Sequence, residues 1–162
     1  MKQGIFIIFL FLAVMANGQV NSELYGIVLK TLLSHDVTEV SVDKVDTNAT
    51  MLDSRSKEEF AVSHLKNAIW VGFDDFDSTR VASLDKAAPV IVYCSIGYRS
   101  EKIAQRLVGL GFTNVQNLYG GIFEWINQDQ VVYQGDSVTK NVHPYSAVWG
   151  IWLQKGNKTT EP

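Results

Sequence analysis

Residues 88–94 read Ala-Pro-Val-Ile-Val-Tyr-Cys, and no polar residue interrupts them. A strand with one face in water alternates apolar and polar side chains. This one does not, so it predicts burial on both faces, the situation of a central strand in a parallel sheet covered by helices. The run ends on Cys94, the one cysteine of the chain. A short loop, Ser-Ile-Gly-Tyr-Arg, follows, and helical spacing resumes at Ser100.

The rest of the chain supports the same architecture. Leu24, Ile27, Val28 and Leu32 fall at helical spacing in residues 21–34 and predict a first amphipathic helix. Short strands are expected at 38–42, at the end of 47–53 and at 67–73. Ser56 with Glu59 three residues later forms a capping-box signature for a helix over 56–65. A weak helix is expected at 77–85. Residues 100–112 form a helix with Ile103, Ala104, Leu107, Val108 and Leu110 on one side and Gly111 as its stop. A strand at 113–119 and a helix at 120–128, opened by two glycines, complete the alternation. Strands alternating with helices predict an α/β fold with a central, mainly parallel sheet flanked by helices.

Both ends differ from this pattern. Lys2 precedes an apolar run of 11 residues, Ile5 to Met15, too short to span a bilayer, which needs about 20. Ala16 and Gly18 supply small residues before Gln19, so residues 1–18 read as a secretory signal peptide cleaved near Gly18, with no stable membrane anchor. The chain is then exported, periplasmic or secreted. Residues 19–36 form an N-terminal helical segment. Residues 129–162 read as an aromatic extension that packs back on the domain and frays from Lys155. Its Tyr145, Trp149 and Trp152 are expected to be packing groups.

The thiol decides the chemistry. In an open parallel sheet, ligands bind beyond the carboxyl ends of the strands, so Cys94 points into that crevice. Gly97 permits a tight turn, and the turn into a helix aims N–H groups at one point. Such a cradle favours the thiolate, the nucleophilic form of cysteine. Arg99 adds a fixed positive charge and a forked donor. The candidate site is therefore Cys94 as the catalytic nucleophile, with Ser95, Ile96, Gly97, Tyr98, Arg99 and Ser100 as the active-site loop. Asp53 and Arg55, at a neighbouring strand end, are expected to support that loop. Glu59 is read as a helix cap, His64 as structural, and Trp70 and Trp125 as core. His35, His64 and His143 have no metal-like spacing, so neither a metal nor a cofactor is expected. Cysteine phosphatases separate Cys and Arg by one residue more than the four found here, and Ser100 stands at their Arg position. The smaller cradle favours chemistry at sulfur over chemistry at phosphorus.

These motifs give the chain a resemblance to the rhodanese family of single-domain sulfurtransferases. Residues 94–100, Cys-Ser-Ile-Gly-Tyr-Arg-Ser, resemble its active-site loop. Residues 51–71 resemble its upstream segment, with the Asp-x-Arg strand end and the Glu-Phe helix. Residues 110–128 resemble its closing strand, Gly-Gly turn and Trp-containing helix. Ser63, Lys66 and Asn67 depart from the usual Gly and Pro-Gly on the supporting segment. Ser95 departs where many members carry Arg. The resemblance covers residues 37–128 and implies a rhodanese-like three-layer fold. It also implies an enzyme, a thiosulfate sulfurtransferase-like one: Cys94 takes a sulfane sulfur as a persulfide and passes it to cyanide or a thiol. The implied partners are a small sulfur-containing anion or thiol and a protein sulfur acceptor. A formal net charge of −3 argues against nucleic acid. The alternative is a non-catalytic or regulatory sulfur-carrier or partner-binding module. Phosphatase or arsenate reductase activity ranks third.

Overall fold

The computed structural model describes residues 18–162, with side chains from Glu23 onward. The expected signal peptide lies outside the described residues, apart from its last residue, Gly18. Helix α1 spans Gly18–Leu32, and the sheet follows as β1 (Glu39–Val40), β2 (Thr50–Asp53), β3 (Ile69–Trp70), β4 (Val90–Tyr93) and β5 (Val115–Leu118). The intervening helices are α2 (Lys57–Val62) and α3 (Tyr98–Gly109), and α4 (Gly121–Asn127) follows β5. The five strands run in the order β1-β5-β4-β2-β3, and every pairing is parallel.

β4 is the central strand, as its composition required. Its side chains alternate between two cores. Ile91 and Tyr93 join Tyr25, Leu29, Leu118, Ile122 and Phe123 on the side of α1 and α4. Val90 and Val92 join Leu52, Ile103, Ala104, Leu107 and Phe112 on the side of α3. A strand with period-two side chains and a hydrophobic layer on each face needs apolar residues at every position. Helix α2 starts as expected: the Ser56 side chain accepts the Glu59 N–H, and Glu59 returns to the Ser56 N–H.

The expected apolar face of α1 is displaced. Leu24 and Ile27 are exposed, whereas Tyr25, Leu29 and Leu33 are buried. The tyrosine decides the rotation, because its hydroxyl donates to the Gly120 carbonyl (2.8 Å) and its ring stacks on Trp152 (5.2 Å). Val108 on α3 and Leu110 just after it are likewise exposed. The segment expected at 77–85 as a helix is a single 3-10 turn, Ser78–Val81.

The extension is ordered. β6 (Val132–Gln134) and β7 (Ser137–Thr139) form an antiparallel hairpin, and β8 (Asn141–Val142) pairs in parallel with β9 (Asn157–Lys158). The segment expected to fray from Lys155 therefore carries a strand, held by Asn157 N–H to the Lys140 carbonyl (2.7 Å) and Thr159 N–H to the Val142 carbonyl (3.1 Å). The fully buried Leu153 joins the core around α1 and α4. Asn127 on α4 donates to the Trp152 carbonyl and accepts the Gln154 N–H, both at 2.8 Å.

Gly120 and Gly121 turn the chain into α4 with φ of 80° and 59°. A Cβ on Gly121 would collide with the Cys94 carbonyl oxygen and stand 2.6 Å from the Ser95 carbonyl. Both obstacles are backbone, so they cannot swing aside. Gly121→Ala is expected to lower stability by about 3 kcal/mol through clash plus left-handed strain. Urea unfolding monitored by tryptophan fluorescence measures this as a lower midpoint.

Candidate active site

Cys94 directly follows β4, at the carboxyl end of the central strand, and its Sγ accepts the Gly97 N–H at 3.1 Å. Gly97 adopts φ 115° as the N-cap of α3, a conformation that side chains disfavour. Its carbonyl accepts the Asn117 Nδ2 (3.0 Å) and the Glu101 N–H (3.1 Å). The Ser100 hydroxyl lies 2.7 Å from Asn117 Oδ1, fully buried behind the loop. The first two loop carbonyls, of Cys94 and Ser95, accept the N–H groups of Ile122 (2.9 Å) and Phe123 (3.1 Å) from the start of α4. Strand end, α3 and α4 thus fix the loop from three sides.

Glu59 closes the fourth. Its buried carboxylate accepts both Arg99 Nη groups (2.7 and 2.8 Å), the Ser95 hydroxyl (2.8 Å) and the Ser56 N–H (3.0 Å). Burial pushes its acidity toward the neutral form. The Arg99 hydrogen bonds and charge outweigh that, helped by Arg55 and the Ser56 N–H, and hold the group at about 2. Arg99 is therefore bound as a fork to a carboxylate, with Nη2 also 3.0 Å from the Ser95 hydroxyl.

Above Cys94 lies a cleft of about 260 Å³. Ser95, Ile96, Tyr98 and Arg99 of the loop line it, and so do three residues distant in sequence: Leu32, Tyr145 and Trp149. Cys94 itself is 1% exposed, so the thiol forms a floor rather than a protrusion. Asp53 and Arg55 sit one layer below. Arg55, wholly buried, donates to both Asp53 oxygens (2.6–3.1 Å) and to the Ser63 carbonyl (2.6 Å). This ties the end of β2 to the end of α2, the helix that carries Glu59.

The sequence profile of the Rhodanese-like domain matches residues 37–128. The chain belongs to the rhodanese-like domain family. Among solved structures it resembles the rhodanese-like domain of a protein from Anabaena sp (TM-score 0.53, 20% identity, 59% of this chain and 77% of that one). It also resembles thiosulfate sulfurtransferase from Pseudomonas aeruginosa (TM-score 0.57, 22% identity, 72% of this chain and 24% of that one). At these identities the likeness concerns the fold. Curated relatives are named tRNA uridine(34) hydroxylase. One from Hamiltonella defensa subsp. Acyrthosiphon pisum (strain 5AT) is 35% identical over 100 residues, covering 59% of this chain and 27% of that protein. Another from Prochlorococcus marinus (strain MIT 9303) is 35% identical over 103 residues, covering 56% and 33%. The chain thus spans about a third or less of the relatives' length.

These names correct two expectations. The assignment as a thiosulfate sulfurtransferase-like enzyme is overturned, because relatives at 33–35% identity are named for a different reaction, hydroxylation of a uridine. The exclusion of nucleic acid as a partner is overturned too, because those relatives act on tRNA by name. Net charge summed over a whole chain says nothing about one local surface.

Of the expected loop residues, Cys94, Ser95, Ile96, Tyr98 and Arg99 line the cleft, Gly97 supplies the N–H to Sγ, and Ser100 faces away into the packing. Sequence reasoning missed the second role of Glu59, since the capping box fully accounted for a glutamate at that position. It also missed the rim. Trp152 is the packing group expected, but Tyr145 and Trp149 line the Cys94 cleft. Trp70 is not in the cleft; Lys57 (4.9 Å) and Arg80 (4.3 Å) both place their cationic groups over its ring. His64 stacks on Phe60 at 4.4 Å.

Glu59→Gln is expected to cost roughly 3 kcal/mol at pH 7, since it leaves a largely buried Arg99 without its counter-charge. Glu59 is depressed from 4.5 to about 2, so the pair's contribution is complete above about pH 4.5 and lost as pH falls toward 2. Urea unfolding of both chains across that range should show the gap between them closing toward pH 2.

Proposed function

We propose that this rhodanese-like chain works through Cys94, whose thiolate takes one small electrophilic group covalently and holds it in the cleft. The supporting observation is the setting of Sγ. It lies at the carboxyl end of the central strand, accepts the Gly97 N–H at 3.1 Å and forms the floor of an open cleft. A buried structural cysteine needs neither a donor aimed at its sulfur nor a cleft above it. In the reaction a bond forms between Sγ and the electrophilic atom, and the leaving group departs with the bonding pair. The Gly97 N–H moderates the charge on sulfur before attack and after release.

The relatives' names make uridine 34 of tRNA the first natural substrate to test. The shared part is this thiol module, because the chain spans only a fraction of those proteins. We also propose export, supported by the apolar leader alone. An exported chain works away from the cytoplasmic tRNA pool, so the leader and the relatives' names point to different substrates for the same thiol. A second reading, a carrier or partner-binding module without turnover of its own, is favoured by one observation: the Nη groups of Arg99, at the edge of the cleft, are already engaged by Glu59.

The folded chain is expected to react with methyl methanethiosulfonate at pH 7 at least as fast as a free small thiol, with one adduct by intact mass and none in Cys94→Ser. If only the urea-unfolded chain reacts, Cys94 is a structural cysteine and the proposal fails. Nucleoside mass spectrometry of tRNA from cells carrying wild type or Cys94→Ser then tests uridine hydroxylation. Cell fractionation and N-terminal sequencing test export, with a start near Gln19 expected.

A further inference from the structure

We propose that Tyr145 and Trp149 determine the specificity of the Cys94 cleft, selecting an uncharged, flat organic electrophile over a small inorganic anion. This rests on the reading that Cys94 is the reacting group, and names the substrate class it takes.

Charge comes first. Among the described residues Arg99 is the cation lining the cleft, and Glu59 holds it by both Nη groups at 2.7 and 2.8 Å. Once the thiolate forms, one positive charge faces two negative ones. A small dianion would find no free guanidinium fork and a net repulsion. The loop that looked like an anion cradle in sequence is internally neutralised.

The rings come second. Tyr145 places its ring over the Arg99 guanidinium, 4.7 Å from the carbon at its centre, and remains 49% exposed. Trp149 lines the same cleft, and Tyr98 borders it from the loop. Ring faces beside a cleft offer stacking to a planar group and little to a hydrated ion.

The backbone supplies an independent observation. Tyr145 has φ 62°, a left-handed conformation that bulky residues rarely adopt. A half-exposed ring needs no such strain merely to pack. The turn is nevertheless held: Tyr145 N–H donates to His143 Nδ1 (3.0 Å), and Ser146 N–H donates to the Pro144 carbonyl (2.7 Å). Gly150 N–H donates to the Ser146 carbonyl (2.8 Å), and a Cβ on Gly150 would meet Pro144 at 2.9 Å. Strain maintained by so many contacts, beside the reactive thiol, marks a ring placed for a ligand. Further along, Trp152 stacked on Tyr25 and the buried Leu153 fix the extension to α1 and α4. Tyr145 and Trp149 lie outside residues 37–128, the part of the chain that the family profile matches.

The test compares three alkylating probes at one pH: iodoacetate, iodoacetamide and N-phenyl-iodoacetamide. In each the Sγ–carbon bond forms and iodide leaves with the bonding pair. Rates are divided by those of 2-mercaptoethanol to remove intrinsic reactivity. The phenyl probe is expected to outpace iodoacetate by about tenfold after that correction. Tyr145→Ala should lower this ratio severalfold, and Tyr145→Phe should restore it, since the ring and not the hydroxyl is used. A corrected ratio near one, or a ratio unmoved by Tyr145→Ala, overturns the inference. If no probe alkylates the folded chain while all alkylate it in urea, the reading of Cys94 as the reacting group has failed instead.

Discussion

The carboxylate of Glu59 is the contact on which the site depends. It is buried, yet four donors from three places in the sequence reach it: Arg99, Ser95 and the start of its own helix. A charge in that position is tolerable only because the Arg99 fork compensates its lost hydration. The consequence is geometric. Helix α2 is locked to the loop that follows β4, and the loop can take one shape around the thiol. Below it, the Asp53–Arg55 pair locks β2 to the other end of α2. Two buried ion pairs in successive layers thus transmit the rigidity of the parallel sheet to Cys94.

The same economy shapes the opposite side of the loop. The first N–H groups of α4 would be orphans at a helix start, and the carbonyls of Cys94 and Ser95 would be orphans in a tight turn. Each satisfies the other, and only glycine at 121 lets the backbones come close enough. The cost falls on the positively charged fork. Arg99, an evident anion receptor in sequence, is consumed in bracing, so the cleft above it owes its character to aromatic rings.

Much of this was legible beforehand. The uninterrupted apolar run at 88–94 required a strand with a core on each face, and β4 has both. The capping box at Ser56 and the glycine stop after α3 depend on neighbouring residues alone, and they stand where local chemistry puts them. The face of α1 was misread because its leucine and isoleucine pattern lost to one tyrosine with a hydroxyl partner 95 positions away. The weak helix at 77–85 shrank to a turn because nothing in its composition outweighs tertiary packing.

What the sequence determined by itself is the module: a parallel α/β domain, a thiol at the end of its central strand, and a short glycine-containing turn into the next helix. Local propensity, periodicity and spacing act over a few residues, and a strand end followed by a glycine turn carries its meaning within that range. Tertiary structure alone decided what surrounds the thiol. Glu59 reaches Arg99 across 40 positions, and Leu32, Tyr145 and Trp149 arrive from both ends of the chain. No local pattern records such meetings, because they follow from how α1 and the C-terminal extension pack against each other over the finished sheet.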